Sequence, residues 1–452
     1  MVAFGKTTRW LVRELKFPST WAAFLLLFPV LFNENFTGSY FTVYGYALLI
    51  LAGLLGWSRC WSRWLGVRWR SVLAVLVFLE MLIYASFQAV RYRLIEHEGI
   101  EAAYHLFYTS YLRNVSVYQP DLGRYDPELF YRLRPGEGIN KNLEFSNTYR
   151  INSAGLRDGE SDLEFPEIIV LGDSHAMGFG VDQHETFPEQ LQEMLSRKTL
   201  NASVMSYGTA RQYLLFQQLA TDSCHTLIWQ YCPNDAPENR TFLENGEHLP
   251  ISSSTEFRFC QHRNFLQAQY YPGKFLFESV AHGLRGLVLR RTPSPPPLDP
   301  EAQSENFFAI VSLLRQTFQG DIVVINLENK YTGPALIRQF DHYIRQHDLP
   351  RVRTLDLSDQ LGPDDFYVID EHLNASGHRK VALALRELLH PRHLMTRFSR
   401  AKPEASDVRM GKLTHKTNFS LTLPPVLRSA PASEADTLNF LHVRSIGTPV
   451  QF

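Results

Sequence analysis

The chain lacks a surplus of either charge. Its 45 Lys and Arg stand against 46 Asp and Glu in 452 residues, a balance that gives no sign of a nucleic-acid partner. It has only four cysteines, and no Cys/His spacing of the kind that holds zinc. The polar turn Asn33-Glu34-Asn35 offers no small-residue cleavage site, which counts against reading the basic arm before it (Lys6, Arg9, Arg13, Lys16) and the short apolar stretch that follows as a signal peptide. The loop from Asn33 to Ser39 also lacks Lys and Arg, and that absence bears on orientation.

The first ninety residues hold three apolar stretches, roughly Ser19 to Phe32, Tyr40 to Trp57 and Ser71 to Val90. The second and third are long enough to cross a bilayer. The first contains Pro29 and spans by borrowing Leu15 to Pro18 or by thinning the bilayer. The basic arm and the segment Ser58 to Arg70, with Arg59, Arg63, Arg68 and Arg70, both belong on the cytoplasmic side, so three spans put everything after residue 90 outside. Arg91 and Arg93 oppose this with two charges against four. Tryptophans 57, 61, 64 and 69 suit an interfacial belt, and Cys60 among them is expected to be a reduced thiol. Glu80 lies inside the third stretch. A carboxylate in lipid must be protonated, paired with a membrane partner, or turned toward Tyr84 or a polar group of another span.

Four parts are expected: a membrane domain at 1–92, a stalk helix and collar at 93–166, an α/β domain at 167–392 with an insertion at about 235–300, and a disordered tail at 393–452. Helical spacing from Leu94 to Leu112 predicts one helix leaving the membrane. The collar from Tyr125 to Asp158 is turn-rich with short β-like segments. From Glu167 onward strand and helix patterns alternate. Strands are expected at Ile168 to Leu171, Ser203 to Ser206, Leu227 to Tyr231, Asp321 to Leu327 and Val352 to Leu357. Helices are expected at Phe187 to Leu195, Thr209 to Ala220, Glu305 to Phe318, Pro334 to His347 and Ser376 to Leu389. Such alternation predicts a parallel sheet between two helical layers, a three-layer αβα domain of the flavodoxin-like kind. The insertion ends in the proline run from Thr292 to Pro300, an extended connector.

The stretch Ile168-Ile-Val-Leu-Gly-Asp-Ser174 is an apolar strand entering a sharp turn with a serine at its tip, at the sheet edge where α/β proteins bind ligands. Gly172 permits the turn, Asp173 can bond the turn's own backbone, and the Ser174 hydroxyl is a candidate nucleophile. Gly-Asp-Ser is also a common turn tripeptide, so later loops at the same edge carry the weight. Those loops hold Gly208, Asn234, and Asp370 with His372. Acyl transfer from an ester needs donors at a developing oxyanion, which the Ser174 N–H, the Gly208 N–H and the Asn234 amide can supply. It also needs a base held in one tautomer. Asp370 and His372 lie two apart and project to one side of an extended segment, which suits an oriented imidazole facing Ser174. His175, next to Ser174, is expected to point elsewhere, and His378 to be structural in the first turn of the last helix; His184 and His225 are weaker rivals. The serine mechanism needs no metal or cofactor.

In these blocks the chain resembles the SGNH (GDSL-type) hydrolase family over roughly residues 125 to 392. Gly172-Asp173-Ser174 matches the nucleophile block, Gly208 the glycine block, Asn234 the asparagine block and Asp370-x-His372 the block supplying acid and base. Ile151-Asn-Ser-Ala-Gly-Leu-Arg-Asp158, Gly178-Phe-Gly-Val181 and Thr186-Phe-Pro188 are similar to a membrane-anchored bacterial branch of that family. Pro233 replaces the usual glycine before Asn-Asp, and the Asp-x-His spacing is one residue shorter than the common one. The shorter spacing is shared with extracytoplasmic sugar O-acetyltransferases of related fold. The resemblance implies a serine esterase acting on acyl esters of a cell-surface glycan or lipid, with an O-acyltransferase and a non-catalytic glycan-binding assembly factor as alternatives. With the catalytic domain outside the cytoplasmic membrane, Cys224, Cys232 and Cys260 would meet an oxidising environment, and Cys232 with Cys260 is the preferred disulfide.

Overall fold

The computed structural model describes residues 55–269, 273–280, 299–327 and 335–390. The first apolar stretch, nearly all of the second, the proline run at 292–298 and the tail lie outside the described residues. Residues 55–65 are helical, and helix α1 (Trp69–Arg91) follows with no glycine or proline within it. Its 23 residues reach about 35 Å at 1.5 Å per residue, enough to cross a bilayer. Val75, Val77, Phe78, Met81 and Leu82 are exposed along it.

Glu80 is buried on the inner side of α1, where its carboxylate accepts the backbone N–H groups of Phe275 (3.3 Å) and Leu276 (2.7 Å). A partner for this carboxylate therefore lies within the chain, at the start of a helical turn in the insertion. Free N–H groups at a helix start attract an anion, which is why an acidic side chain is tolerated there.

The helix expected at Leu94 to Leu112 is present from Glu98 to Tyr111 and is separate from α1, which ends at Arg91. Arg93 takes a left-handed φ of 55°, and α2 (Glu98–Tyr111) starts only after His97. It does not stand clear as a stalk. Phe87 of α1 packs edge-on to Tyr104 (4.3 Å between centroids) and against Phe107, while Phe87, Val90, Tyr108, Phe275 and Ile369 share one buried cluster. Fully buried side chains of this size contribute about 1.5–3 kcal/mol each.

The collar is two antiparallel hairpins, β1 (Gly123–Asp126) with β2 (Phe130–Leu133) and β3 (Gly136–Lys141) with β4 (Ser146–Ile151). The domain beyond it is built on five parallel strands: β5 (Ile168–Leu171), β6 (Thr199–Asn201), β7 (Thr226–Tyr231), β8 (Asp321–Asn326) and β9 (Val352–Leu355), in the order β6-β5-β7-β8-β9. Strands β5 and β7 are buried at every residue, as the apolar run of β5 and Leu227 to Trp229 of β7 require. The helices that cover the sheet are α4 (Phe187–Leu195), α5 (Thr209–Phe216), α8 (Pro300–Leu314), α9 (Ala335–Gln346) and α10 (Ala375–Leu389), with α6 (Ala236–Glu244) and α7 (Ser254–Ala268) in the insertion. A short α3 (Ser174–Met177) precedes α4.

One strand differs from expectation: β6 ends at Asn201, and residues 203–206 form a turn in which Ser206 takes a φ of 62°. Val204 and Met205 are apolar because that turn is buried, and burial alone does not distinguish a strand from a tight turn in the core. Strand order reverses between β5 and β7. In sheets of this order the crevice beyond the carboxyl ends at that reversal is the place a ligand enters.

Candidate active site

The loop leaving β5 is shaped by close approach. A Cβ on Gly172 would fall 2.5 Å from the Gln230 side-chain oxygen and 2.6 Å from the Ala176 Cβ, so only glycine fits. Asp173 donates its N–H to Gln230 (2.8 Å), and its carboxylate accepts the His175 N–H (2.8 Å), the self-bonded turn expected from Gly-Asp-Ser. Ser174 thus opens α3, which ends at once on Gly178 with a φ of 86°. The collar holds this turn from behind. Fully buried Arg157 gives Nη2–H to the Val181 carbonyl (2.6 Å) and Nη1–H to the carbonyls of Met177 and Gly178, its guanidinium lying 3.7 Å over the Tyr149 ring.

The second loop brings its base to the serine. His372 Nε2 lies 2.7 Å from Ser174 Oγ, and His372 Nδ1 meets Asp370 Oδ1 in a short hydrogen bond, with all three residues buried. The segment is not extended, as the two-residue spacing had implied. Glu371 between them takes a left-handed φ of 68°, inside a tight loop closed by the Phe366–Leu373 bridge and the Tyr367 N–H to His372 carbonyl bond (2.9 Å). A non-glycine residue held there costs on the order of 1 kcal/mol or more, and such strain gathers at functional loops. The turn, not strand alternation, points Asp370 and His372 at one another.

Helix α2, expected as a stalk, and the chain just after it supply the surroundings of Asp370. Tyr108 donates its hydroxyl to Asp370 Oδ2 (2.6 Å), and Arg113 sets Nε 3.3 Å from the same oxygen while giving Nη2–H to the Asp370 carbonyl (2.9 Å). Burial opposes the Asp370 charge, but Arg113, His372 and the Tyr108 hydroxyl more than offset it and hold the carboxyl well below the usual range. None of this was readable in the sequence, because Tyr108 and Arg113 sit more than 250 residues from Asp370 and look like ordinary positions in and just after an amphipathic helix.

Glu144, on the turn between β3 and β4, holds the same loop by accepting three successive N–H groups, from Val368 (3.0 Å), Ile369 (2.9 Å) and Asp370 (2.7 Å). Burial is the strongest influence on its acidity and the Asp370 charge adds to it; against the pull of the three N–H groups they raise the pKa from 4.5 to about 7. The folded protein thus keeps this proton to a higher pH than the unfolded chain. The resulting stability is full below about 4.5 and is lost as pH rises through about 7. Melting temperatures of wild type and Glu144→Gln measured across that window should diverge, wild type losing stability relative to the variant as pH rises; parallel curves would refute the assignment.

The other sequence candidates divide. Asn234 stands exposed at the mouth of a cleft of about 260 Å³ that Ser174, His372, Met205, Ser206 and Pro233 also line. Gly208 is not brought there as a donor. Its N–H goes to Glu238 Oε1 (3.1 Å) while Glu238 Oε2 pairs with Arg211 (2.5 Å), so the glycine's role is to admit Glu238, whose side chain a Cβ would strike at 2.7 Å. His175 does line the cleft, contrary to expectation: its ring stacks on His372 (4.6 Å, 28°), and burial followed by the neighbouring His372 drives its pKa well below normal. His378 is buried in the first turn of α10 and accepts the Phe187 N–H (3.2 Å), a structural post. Cys232 and Cys260 are not joined. Cys232 faces the cleft and Cys260 lies on α7.

Neither a family model nor a curated protein matches the chain. Solved structures overlap with about half of it. A protein described as lipolytic and of the G-D-S-L family, from Desulfitobacterium hafniense DCB-2, is 10% identical over 49% of this chain and 98% of its own, with a TM-score of 0.29. A carbohydrate esterase family 2 enzyme with a carbohydrate-binding domain, from Corynascus thermopiles (Myceliophthora fergusii), is 12% identical over 50% of this chain and 66% of its own (TM-score 0.31). A salicylyl-acyltransferase from a tetracycline biosynthetic pathway is 14% identical over 51% and 56% (TM-score 0.28). The functional reading rests on the site itself.

Proposed function

We propose that the chain is a membrane-anchored serine esterase of the SGNH type, acting on acyl esters of a cell-surface glycan or lipid. The observation that carries the reading is the buried relay from Asp370 through His372 to the Ser174 hydroxyl, 2.7 Å from the ring, at the switch point of a parallel sheet. In this mechanism His372 takes the serine proton as Ser174 attacks the ester carbonyl, and Asp370 fixes the tautomer and balances the imidazolium. The Ser174 N–H and the Asn234 amide receive the oxyanion; Gly208, already bonded to Glu238, is left out of that role. The leaving alcohol takes the proton back, and water repeats the sequence to free the acid. A cleft of about 260 Å³ is smaller than the sites that enclose drug-sized ligands and favours a short acyl group.

A transferase differs only in the species that resolves the acyl-serine, so the deciding measurement gives the full-length protein an activated acetyl ester with and without oligosaccharides. Acetate release unaffected by any acceptor, with removal of acetyl groups from acetylated glycan, supports hydrolysis. Acetylated sugar formed at the expense of acetate would turn the reading to the O-acyltransferase, and the absence of both to the assembly factor. Anchoring is supported by the length and exposed apolar side chains of α1, with the charge pattern putting the catalytic domain on the periplasmic or extracellular side of the cytoplasmic membrane. A reporter active only outside the cytoplasm should work when fused after Asp158 and fail after Arg63; the reverse pattern would put the site inside.

A further inference from the structure

The base of the relay is held at its edges by hydrogen bonds, at Nδ1 by Asp370 and at Nε2 by Ser174. The χ2 torsion that swings a histidine ring is broad, so what packs against the ring also decides how well it is aimed. Two rings do so. His175 stacks on His372 with centroids 4.6 Å apart and planes 28° from parallel, and Phe179 lies 4.8 Å away at 55°. Both belong to the nucleophile's own turn. The His175 N–H is given to Asp173 (2.8 Å) and the Phe179 N–H to the Ser174 carbonyl (2.9 Å). One short piece of backbone thus carries both the Ser174 hydroxyl and the surfaces that seat its base.

The Nδ1 of His175 is buried and meets no hydrogen-bond partner among the described residues, so a bond at that nitrogen does not place the ring. What the position offers the relay is a ring face. We propose that His175 is a positioning residue: its ring holds His372 in line with Ser174 Oγ and faces the positive charge that His372 takes on when the serine proton reaches Nε2. A cation is attracted to the face of an uncharged aromatic ring within about 6 Å. Burial, and then His372 itself, drive the His175 pKa well below normal, so at neutral pH it sets no like charge beside the forming imidazolium. This inference rests on the esterase reading.

The test measures the rate of fluorophosphonate labelling, and kcat and KM on an activated acetyl ester, for full-length wild type, His175→Ala, His175→Leu and His175→Phe, with circular dichroism to show which are folded. Leucine fills much of the volume without an aromatic face, and phenylalanine keeps the face without the nitrogens. The Ala and Leu variants should label and turn over roughly ten- to a hundredfold more slowly with KM little changed, the scale of loss when a reacting group is misplaced by up to about 1 Å. The Phe variant should stay within about threefold of wild type, because the face is what the relay uses. Wild-type rates in both Ala and Leu, a Phe variant as slow as Leu, or a loss confined to KM would overturn the inference alone. So would Ala and Leu variants that both fail to fold, since the ring would then serve packing only. Wild type that neither labels nor turns over the ester would overturn the esterase reading and this inference with it.

Discussion

Ser174→Ala should abolish fluorophosphonate labelling and lower kcat for ester cleavage by roughly 10⁴ to 10⁶, the scale seen when the nucleophile of an oriented relay is removed. The change deletes one oxygen whose bond in the structure is to His372 Nε2, and it leaves Gly172, Asp173 and the Arg157 contacts that shape the turn. The fold should therefore survive, and circular dichroism and the melting temperature should match wild type. Labelling that persists in Ser174→Ala would put the nucleophile elsewhere and end the proposal. His372→Ala should fall by a similar factor without an additive loss in the double variant, because the two residues act as one unit.

Arg113→Met should be the most damaging single change outside the relay. Arg113 and Asp370 are both buried and 3.3 Å apart, and removing the cation strands a carboxylate whose ionisation depends on it. Breaking a buried pair from one side costs about 3–5 kcal/mol, which for a domain of this size lowers the melting temperature by on the order of 10 °C. Adding Asp370→Asn removes the stranded charge and should return part of the stability, while activity stays down by roughly 10⁴ because the His372 tautomer is no longer fixed. That split separates packing from chemistry. A loss below about 1 kcal/mol in Arg113→Met would mean that solvent screens the pair, and the account of Asp370 would fail.

The parallel sheet could be read from the sequence because strands buried on both faces read as near-continuous apolar runs, as at Ile168 to Leu171 and Leu227 to Trp229. Ser174, Asp370 and His372 were legible for a related reason: each follows a strand or precedes a helix in a pattern that brings loops to one edge. Contacts between distant segments leave no such trace. Tyr108, Arg113 and Glu144 carry no local pattern that marks them as supports of a site. Asp-x-His suggests an extended segment because period-two alternation is the simplest way to align two side chains, whereas the chain uses a left-handed Glu371. Gly208 departs from its expected role because a glycine N–H in a loop is indistinguishable by sequence from one already given to Glu238.

The cluster that joins Phe87 and Val90 to Tyr108, Phe275 and Ile369 bears on where the gene can be cut. Expressing the portion after residue 91 as a soluble fragment, the customary way to free a catalytic domain from its anchor, would strip the covering from Ile369, the residue before Asp370, and from Phe275. It would also leave the backbone N–H groups of Phe275 and Leu276 without Glu80. Such a fragment carries a fresh sticky seam beside its own acid–base loop. A longer fragment that retains α1, purified in detergent or in a lipid nanodisc, keeps that seam closed.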